Sequence, residues 1–342
     1  MVGRWIAVLG CAMLLGATPA WAWKLHLSPM DDVSGLVAGK VKNRIPYLDG
    51  ASPLHEQMTL AVFSCVSVSD CKTGLEGEGI RIRDVLDGVR WNDFPTLWFT
   101  GNSREKCLGK VSPLDPRKAS CYLNHLLLAS ADKGMANRGR KSSQSWAARG
   151  HFGDLQFLHG MGKPGAPAGE TYENLLVWAR FSYEVSLGTH ALNEDVTRVA
   201  GMENFFFQGA RQIGDLMDYR FDASARGIAL GQLLHIVQDS YAFCHARRNA
   251  AGELEAFNTY SDQSGILHGR HDDDREALRN VLAQPHSPTT FGRELFLARK
   301  QRLPWSEVRP IFDAYIKPTQ PWETAKPGKG CENRSDDGYG SG

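Results

Sequence analysis

The stretch from Ala223 to Ala246 constrains this chain more than any other, because it sets ionisable side chains into an apolar helical run. Within it lies His235-Ile-Val-Gln-Asp239-Ser-Tyr-Ala-Phe-Cys-His245, surrounded by Leu230, Leu233, Leu234, Val237 and Phe243. Helical residues four apart share a face, so His235 and Asp239 converge. His245 is ten residues from His235 and falls near the same stripe if the helix continues. The apolar neighbours put these groups in or beside a core, where an unpaired polar group costs about 1–3 kcal/mol. They therefore need partners, either one another in a hydrogen-bonded core pair or a metal ion. Two imidazoles and a carboxylate on one face suit Zn2+, which takes nitrogen and oxygen ligands.

A second cluster, His268-Gly-Arg-His271-Asp272-Asp273-Asp274, repeats the H-x3-D spacing at His268 and Asp272. An acidic run alone reads as a solvated loop or helix start; the repeated spacing is what favours metal binding. Other signatures are absent: no G-x-S-x-G elbow, no Walker loop and no C-x-x-C. His55-Glu56 opens like a zinc-protease helix, but Thr59 occupies the place of the second histidine.

Periodicity predicts a mostly helical protein, all-α in class and a single multi-helix domain. Helices are expected over His55–Phe63, Tyr172–Leu187 with a stop at Gly188, Phe205–Tyr219, Ala223–Ala246, Arg293–Lys300 and Trp305–Ile316. Gly162–Gly169 is a Gly/Pro-rich loop, strand-like alternation is scarce and no internal repeat occurs. Residues 317–342 are rich in Pro, Gly and charge and read as a disordered tail.

The N-terminus reads as a secretory signal over residues 1–22: Arg4 supplies the positive region, Ile6–Leu15 the apolar region and Ala20-Trp21-Ala22 the cleavage site. Cleavage there leaves Trp23 as the new N-terminus and a secreted or periplasmic chain. Six cysteines remain, Cys65, Cys71, Cys107, Cys121, Cys244 and Cys331, and an even number in an exported protein favours disulfides. Close spacing suggests Cys65–Cys71 and Cys107–Cys121, which leaves Cys244–Cys331 to tie the tail to the core. With 39 Lys+Arg against 38 Asp+Glu there is no global field for nucleic acid and no polybasic membrane anchor.

The signal, Trp23 and the two H-x3-D motifs together resemble the secreted zinc-dependent phospholipase C / S1–P1 nuclease superfamily. The resemblance covers residues 23–316. It implies a mainly helical fold holding three zinc ions in one cleft, with His235, Asp239 and His245 as the H-x3-D-x5-H element and His268 and Asp272 as the closing pair. The early histidine is assigned to His55, with His26 as its competitor. The remaining ligands are assigned to Asp93 and to His151, which His159 could replace. By resemblance Asp93, His151, His235 and Asp239 hold one ion, and His245, His268 and Asp272 a second. The Trp23 amine and carbonyl hold the third with His55 and a bridging Asp239. Closely spaced zinc ions lower the pKa of bound water toward about 7, and Asp93 could assist as a base. Asp154 and Asp273 are candidate partners for the imidazoles.

The expected substrate is a phosphodiester, foremost a phospholipid with transient membrane-surface contact. Single-stranded nucleic acid is the alternative, and a zinc-stabilised binding protein without turnover is a third class. Phe205-Phe206-Phe207, Trp98 and Phe99 could contact either substrate, although core packing is their plainer role.

Overall fold

The structure is a computed structural model, and it describes residues 54–92, 149–150, 153–206, 211–217, 224–260, 263, 268, 275–319, 327–328 and 330–331. These residues are mainly helical, with two short strands, as the all-α expectation requires at that level. Helix α1 spans Leu54–Val62, α2 Ile82–Trp91, α3 Ala168–Leu187, α4 Ile213–Met217 and α5 Ala225–Asp239. An antiparallel hairpin follows, β1 Ala246–Arg248 and β2 Leu254–Phe257, and then α6 Arg275–Leu282, α7 Pro288–Lys300 and α8 Trp305–Ile316.

Helix α3 ends where its sequence says it should. Gly188 adopts φ 72°, and its N–H returns to the carbonyls of Glu184 and Val185. Ser287 starts α7 by accepting from the Thr290 N–H at 3.2 Å, with Pro288 at the first helical position. α2 is less visible in the sequence, since its ten residues include Arg83, Asp84, Asp87, Gly88 and Arg90. The Asp84 carboxylate accepts from the Arg81 N–H at 2.8 Å and so sets its start.

Two expected helices are shorter than their sequence periodicity. Of the one expected over Phe205–Tyr219, the described residues are helical at Ile213–Met217, and Phe205 and Phe206 are not. Phe205 and Phe206 instead bury their rings, and Phe205 lies 5.0 Å from Phe157, centroid to centroid. The packing role therefore holds for these two, while Phe207, Trp98 and Phe99 lie outside the described residues. The helix expected over Ala223–Ala246 stops at Asp239. Arg248 reaches back from β1 to the Ser240 carbonyl at 3.0 Å and the Ser240 hydroxyl at 2.8 Å, while that hydroxyl donates to Val237 O at 2.7 Å. A guanidinium on the terminal carbonyl caps the helix, and the chain turns.

α5 is the centre of the molecule. Every residue in it except Arg226 is buried, the mark of a helix surrounded by protein on all sides. It crosses α2 at backbone contact. A Cβ on Gly88 would lie 2.1 Å from the Ile228 carbonyl oxygen, and one on Gly231 2.1 Å from that of Val85. Glycine alone lets two helices approach this closely. Trp178 of α3 packs nearby against Trp91, Phe157, Phe181 and Phe205.

Cys65–Cys71 is disulfide-bonded, as its close spacing indicated, and so is Cys244–Cys331, the pair left over; Cys107 and Cys121 lie outside the described residues. Two disulfides suit an oxidising, extracellular setting. Among the described residues no helix is long and apolar enough to cross a membrane. Part of the 317–342 stretch is fastened to the domain: Cys331 is buried, and Gly328 exchanges backbone hydrogen bonds with Phe257 and Thr259.

Candidate metal centre

Five of the expected ligands converge: His55 from the first turn of α1, His235 and Asp239 from α5, His245 from the turn after it, and His268. All are buried. Asp239 is the hub. Its Oδ1 is 3.1 Å from His55 Nε2 and its Oδ2 2.8 Å from His235 Nε2. His159, the competitor of His151, supplies a third imidazole, with Nδ1 3.2 Å from Asp239 Oδ2. His245 is 3.7 Å from the same oxygen. Trp23, Asp93, His151 and Asp272, together with His26 and Asp273, lie outside the described residues.

His245 does not reach this place along a continued helix, as the ten-residue spacing implied. The chain has already turned at Ser240, and the His245 Nδ1 donates to the His159 carbonyl at 2.7 Å. Phe243, expected among the buried apolar neighbours, is 61% exposed because the same turn swings it outward.

The outer partners of the imidazoles define their tautomers. His235 Nδ1 donates to the Val89 carbonyl at 2.6 Å, which only the glycine crossing of α2 and α5 brings within reach. His55 Nδ1 meets Gln238 Oε1 at 2.7 Å, and the Gln238 amide nitrogen donates to Thr59 Oγ1 at 3.0 Å, so the oxygen faces the ring. His268 Nδ1 meets Gln263 Oε1 at 2.6 Å, with the Gln263 nitrogen donating to the Cys244 carbonyl at 2.6 Å. In all four rings anchored in this way, His55, His235, His245 and His268, Nδ1 carries the proton and Nε2 keeps its lone pair.

Those lone pairs face other lone pairs. His55 Nε2 and Asp239 Oδ1 are both buried, sit 3.1 Å apart, and neither atom has a hydrogen-bond partner among the described residues. His245 Nε2 and His268 Nε2 face each other at 2.9 Å. Protonating the rings is a poor remedy, since burial pushes His235 and His159 down to about 4 despite the nearby Asp239 charge. Burial raises Asp239, but the attraction between its charge and any proton on His235, His245 or His55 outweighs this and sets it well below the usual carboxylate range. Neutral imidazoles around an ionised carboxylate are a donor set that fits a cation. The ligand atoms of His55, His235 and Asp239 lie within 4.8 Å of one another, the spread of atoms that share one ion.

Sequence reasoning proposed Asp154 as an imidazole partner. It pairs instead with Arg149 through two hydrogen bonds of 2.9 and 2.8 Å. The partners it missed are Gln238, Gln263 and two backbone carbonyls. Only Gln238, adjacent to Asp239 on α5, carried any local signal.

Glu56 and Arg90 form a buried ion pair at 2.9 Å beneath the site. Glu56 follows His55 and Arg90 follows Val89, so the pair ties the two backbones that orient His55 and His235. Glu56→Ala leaves Arg90 with Asp87 alone, at 3.3 Å. It is therefore expected to cost about 3 kcal/mol in urea denaturation, the low end for a broken buried pair.

No family model, curated protein or solved structure matches this chain.

Proposed function

We propose that this chain is an exported zinc-dependent phosphoric diester hydrolase, a phospholipase C with the helical fold of the phospholipase C/P1 nuclease superfamily. The observation that carries the reading is the buried Asp239 carboxylate, with Oδ1 3.1 Å from a His55 Nε2 that has no hydrogen-bond partner among the described residues and Oδ2 2.8 Å from His235 Nε2. A non-catalytic core needs no such convergence of acceptors, because each buried lone pair facing another is a cost.

The residues that would hold zinc are His55, His235 and Asp239, with His245 and His268 as a second group; Trp23, Asp93, His151 and Asp272 complete the set by resemblance. When bound, zinc supplies a Lewis acid for phosphoryl oxygens and an activated water. The chain does the rest. Gln238, Gln263 and the carbonyls of Val89 and His159 hold four rings in one tautomer. Burial keeps bulk water from the carboxylate and strengthens its attraction for a cation.

Exposed Phe243, two residues before His245, supports an apolar substrate. The near-equal 39 cationic and 38 anionic side chains disfavour a polynucleotide, whose phosphates are gripped mainly by excess Lys and Arg.

The mature protein is expected to begin at Trp23 on N-terminal sequencing, to contain about three zinc ions by elemental analysis, and to release p-nitrophenol from a phosphocholine ester. Absence of zinc from protein folded in its presence removes the reading. Zinc with degradation of single-stranded DNA and no ester cleavage moves the enzyme to the nuclease branch.

A further inference from the structure

The C-terminal stretch around Cys331 touches the site through one carbonyl. Cys331 is bonded to Cys244, the residue immediately before His245. The Cys244 carbonyl accepts from Gln263 Nε2 at 2.6 Å and from Asn258 Nδ2 at 3.2 Å. Gln263 in turn holds His268 Nδ1 at 2.6 Å, and the His268 Nε2 faces that of His245 at 2.9 Å.

Gly330 presses on this relay. It adopts φ +66°, and a Cβ there would stand 2.3 Å from Gln263 Nε2 and 2.7 Å from the Cys244 oxygen. A side chain at this position would be strained by the backbone and blocked by a carbonyl that cannot yield. Three residues earlier, Pro327 lies against Gly162. Gly328 donates to the Phe257 carbonyl at 2.8 Å and accepts from the Thr259 N–H at 2.9 Å. The strap is thus laid along the chain that follows β2 and pinned by a disulfide beside a ligand.

We propose that residues 327–328 and 330–331 are a positioning strap for the His245–His268 half of the candidate centre, acting through the Cys244 carbonyl and Gln263 on the tautomer and aim of His268. The strap touches no substrate. It makes the second metal group depend on a segment 59 to 63 residues beyond the nearer of its two histidines and on a disulfide formed only after export. The proposal rests on the metal reading above.

The test uses the full mature chain, stripped of metal and titrated with zinc against a chromophoric chelator. Gln263→Ala, Gly330→Ala and the double variant Cys244→Ser/Cys331→Ser are expected to weaken one class of zinc about tenfold to a hundredfold, the usual effect of losing an outer partner. The ion held by His55, His235 and Asp239 keeps its affinity and reports that the fold is intact. His268→Ala is expected to abolish the same class, and Gln263→Ala added to it does no further damage, because the two act as one unit. The strap is merely structural if the variants lower the melting temperature yet bind all zinc as the wild type does, or if the Gln263 and His268 effects add. Wild-type protein that takes up no zinc overturns the metal reading and this proposal together, and is recognised because the failure is then in the parent and not in the variants.

Discussion

Asp239→Asn is expected to remove zinc from the His55–His235–Asp239 group and to abolish phosphodiester hydrolysis while leaving the helices intact. Among the described residues Asp239 is the one carboxylate that meets His55, His235 and His159 together. Its two oxygens are what an ion would share with the rings. Asparagine keeps the shape but removes the charge and turns one oxygen into a donor. Losing an outer partner alone weakens metal about 10–100-fold, so losing the charged ligand should reach at least the upper end of that range. The metal-free protein should respond in the opposite direction. An amide N–H can donate to the lone pair of His55 Nε2 or His235 Nε2, which a carboxylate cannot. The metal-free variant is therefore expected to melt at or above the metal-free wild type.

His235→Ala should lose zinc nearly as completely. His190 and His286 are the controls: His190 sits between Glu184 and Glu194, and His286 lies against Tyr315, both away from Asp239. Elemental analysis and turnover of a phosphocholine ester decide the matter. Full zinc and activity in Asp239→Asn, or equal damage in the two controls, would show that α5 is not the metal-binding helix.

Gly231→Ala is expected to be among the most destabilising single-methyl additions at the described glycines. In an exposed helix this change gains about 1 kcal/mol, because alanine is the better helix former. Here the added carbon would stand 2.1 Å from Val85 O, 2.4 Å from Val89 N and 2.6 Å from Gly88 C. All three are backbone atoms of α2, so no rotamer change relieves the clash, and the two helices must part. Overpacking of this kind costs about 1–3 kcal/mol, and an all-backbone clash belongs at or beyond the top of that range. Packing thus outweighs propensity and reverses the sign.

The separation has a chemical consequence as well. The Val89 carbonyl would leave His235 Nδ1, now 2.6 Å away, and the ring would lose its fixed tautomer. Zinc affinity should fall together with stability. Gly77 has nothing within 4 Å of an added Cβ, so Gly77→Ala is the matched control and should leave both unchanged. Urea denaturation and zinc titration of the two variants separate the outcomes. A Gly231→Ala protein as stable as wild type would mean that the α2–α5 approach is looser than its geometry.

What the sequence by itself determined is local. The apolar spacing of α1, α3 and α8, the Gly188 stop and the six-residue Cys65–Cys71 loop each follow from interactions within one or two turns. The convergence of His235 with Asp239 is of the same kind, since four residues are one helical step. The tertiary structure decided everything that depends on a distant partner. Arg248 ends α5 at Ser240, so His245 enters from a turn and Phe243 faces out. Glycines on two helices let Val89 orient His235 across 146 residues of chain, and Gln238 meets His55 across 183. A glycine or a glutamine carries no periodic signal of its own, and its role appears only when another backbone is laid against it. The residue types of a candidate metal centre could therefore be read from the chain, while the aim of its ring nitrogens was set only by packing.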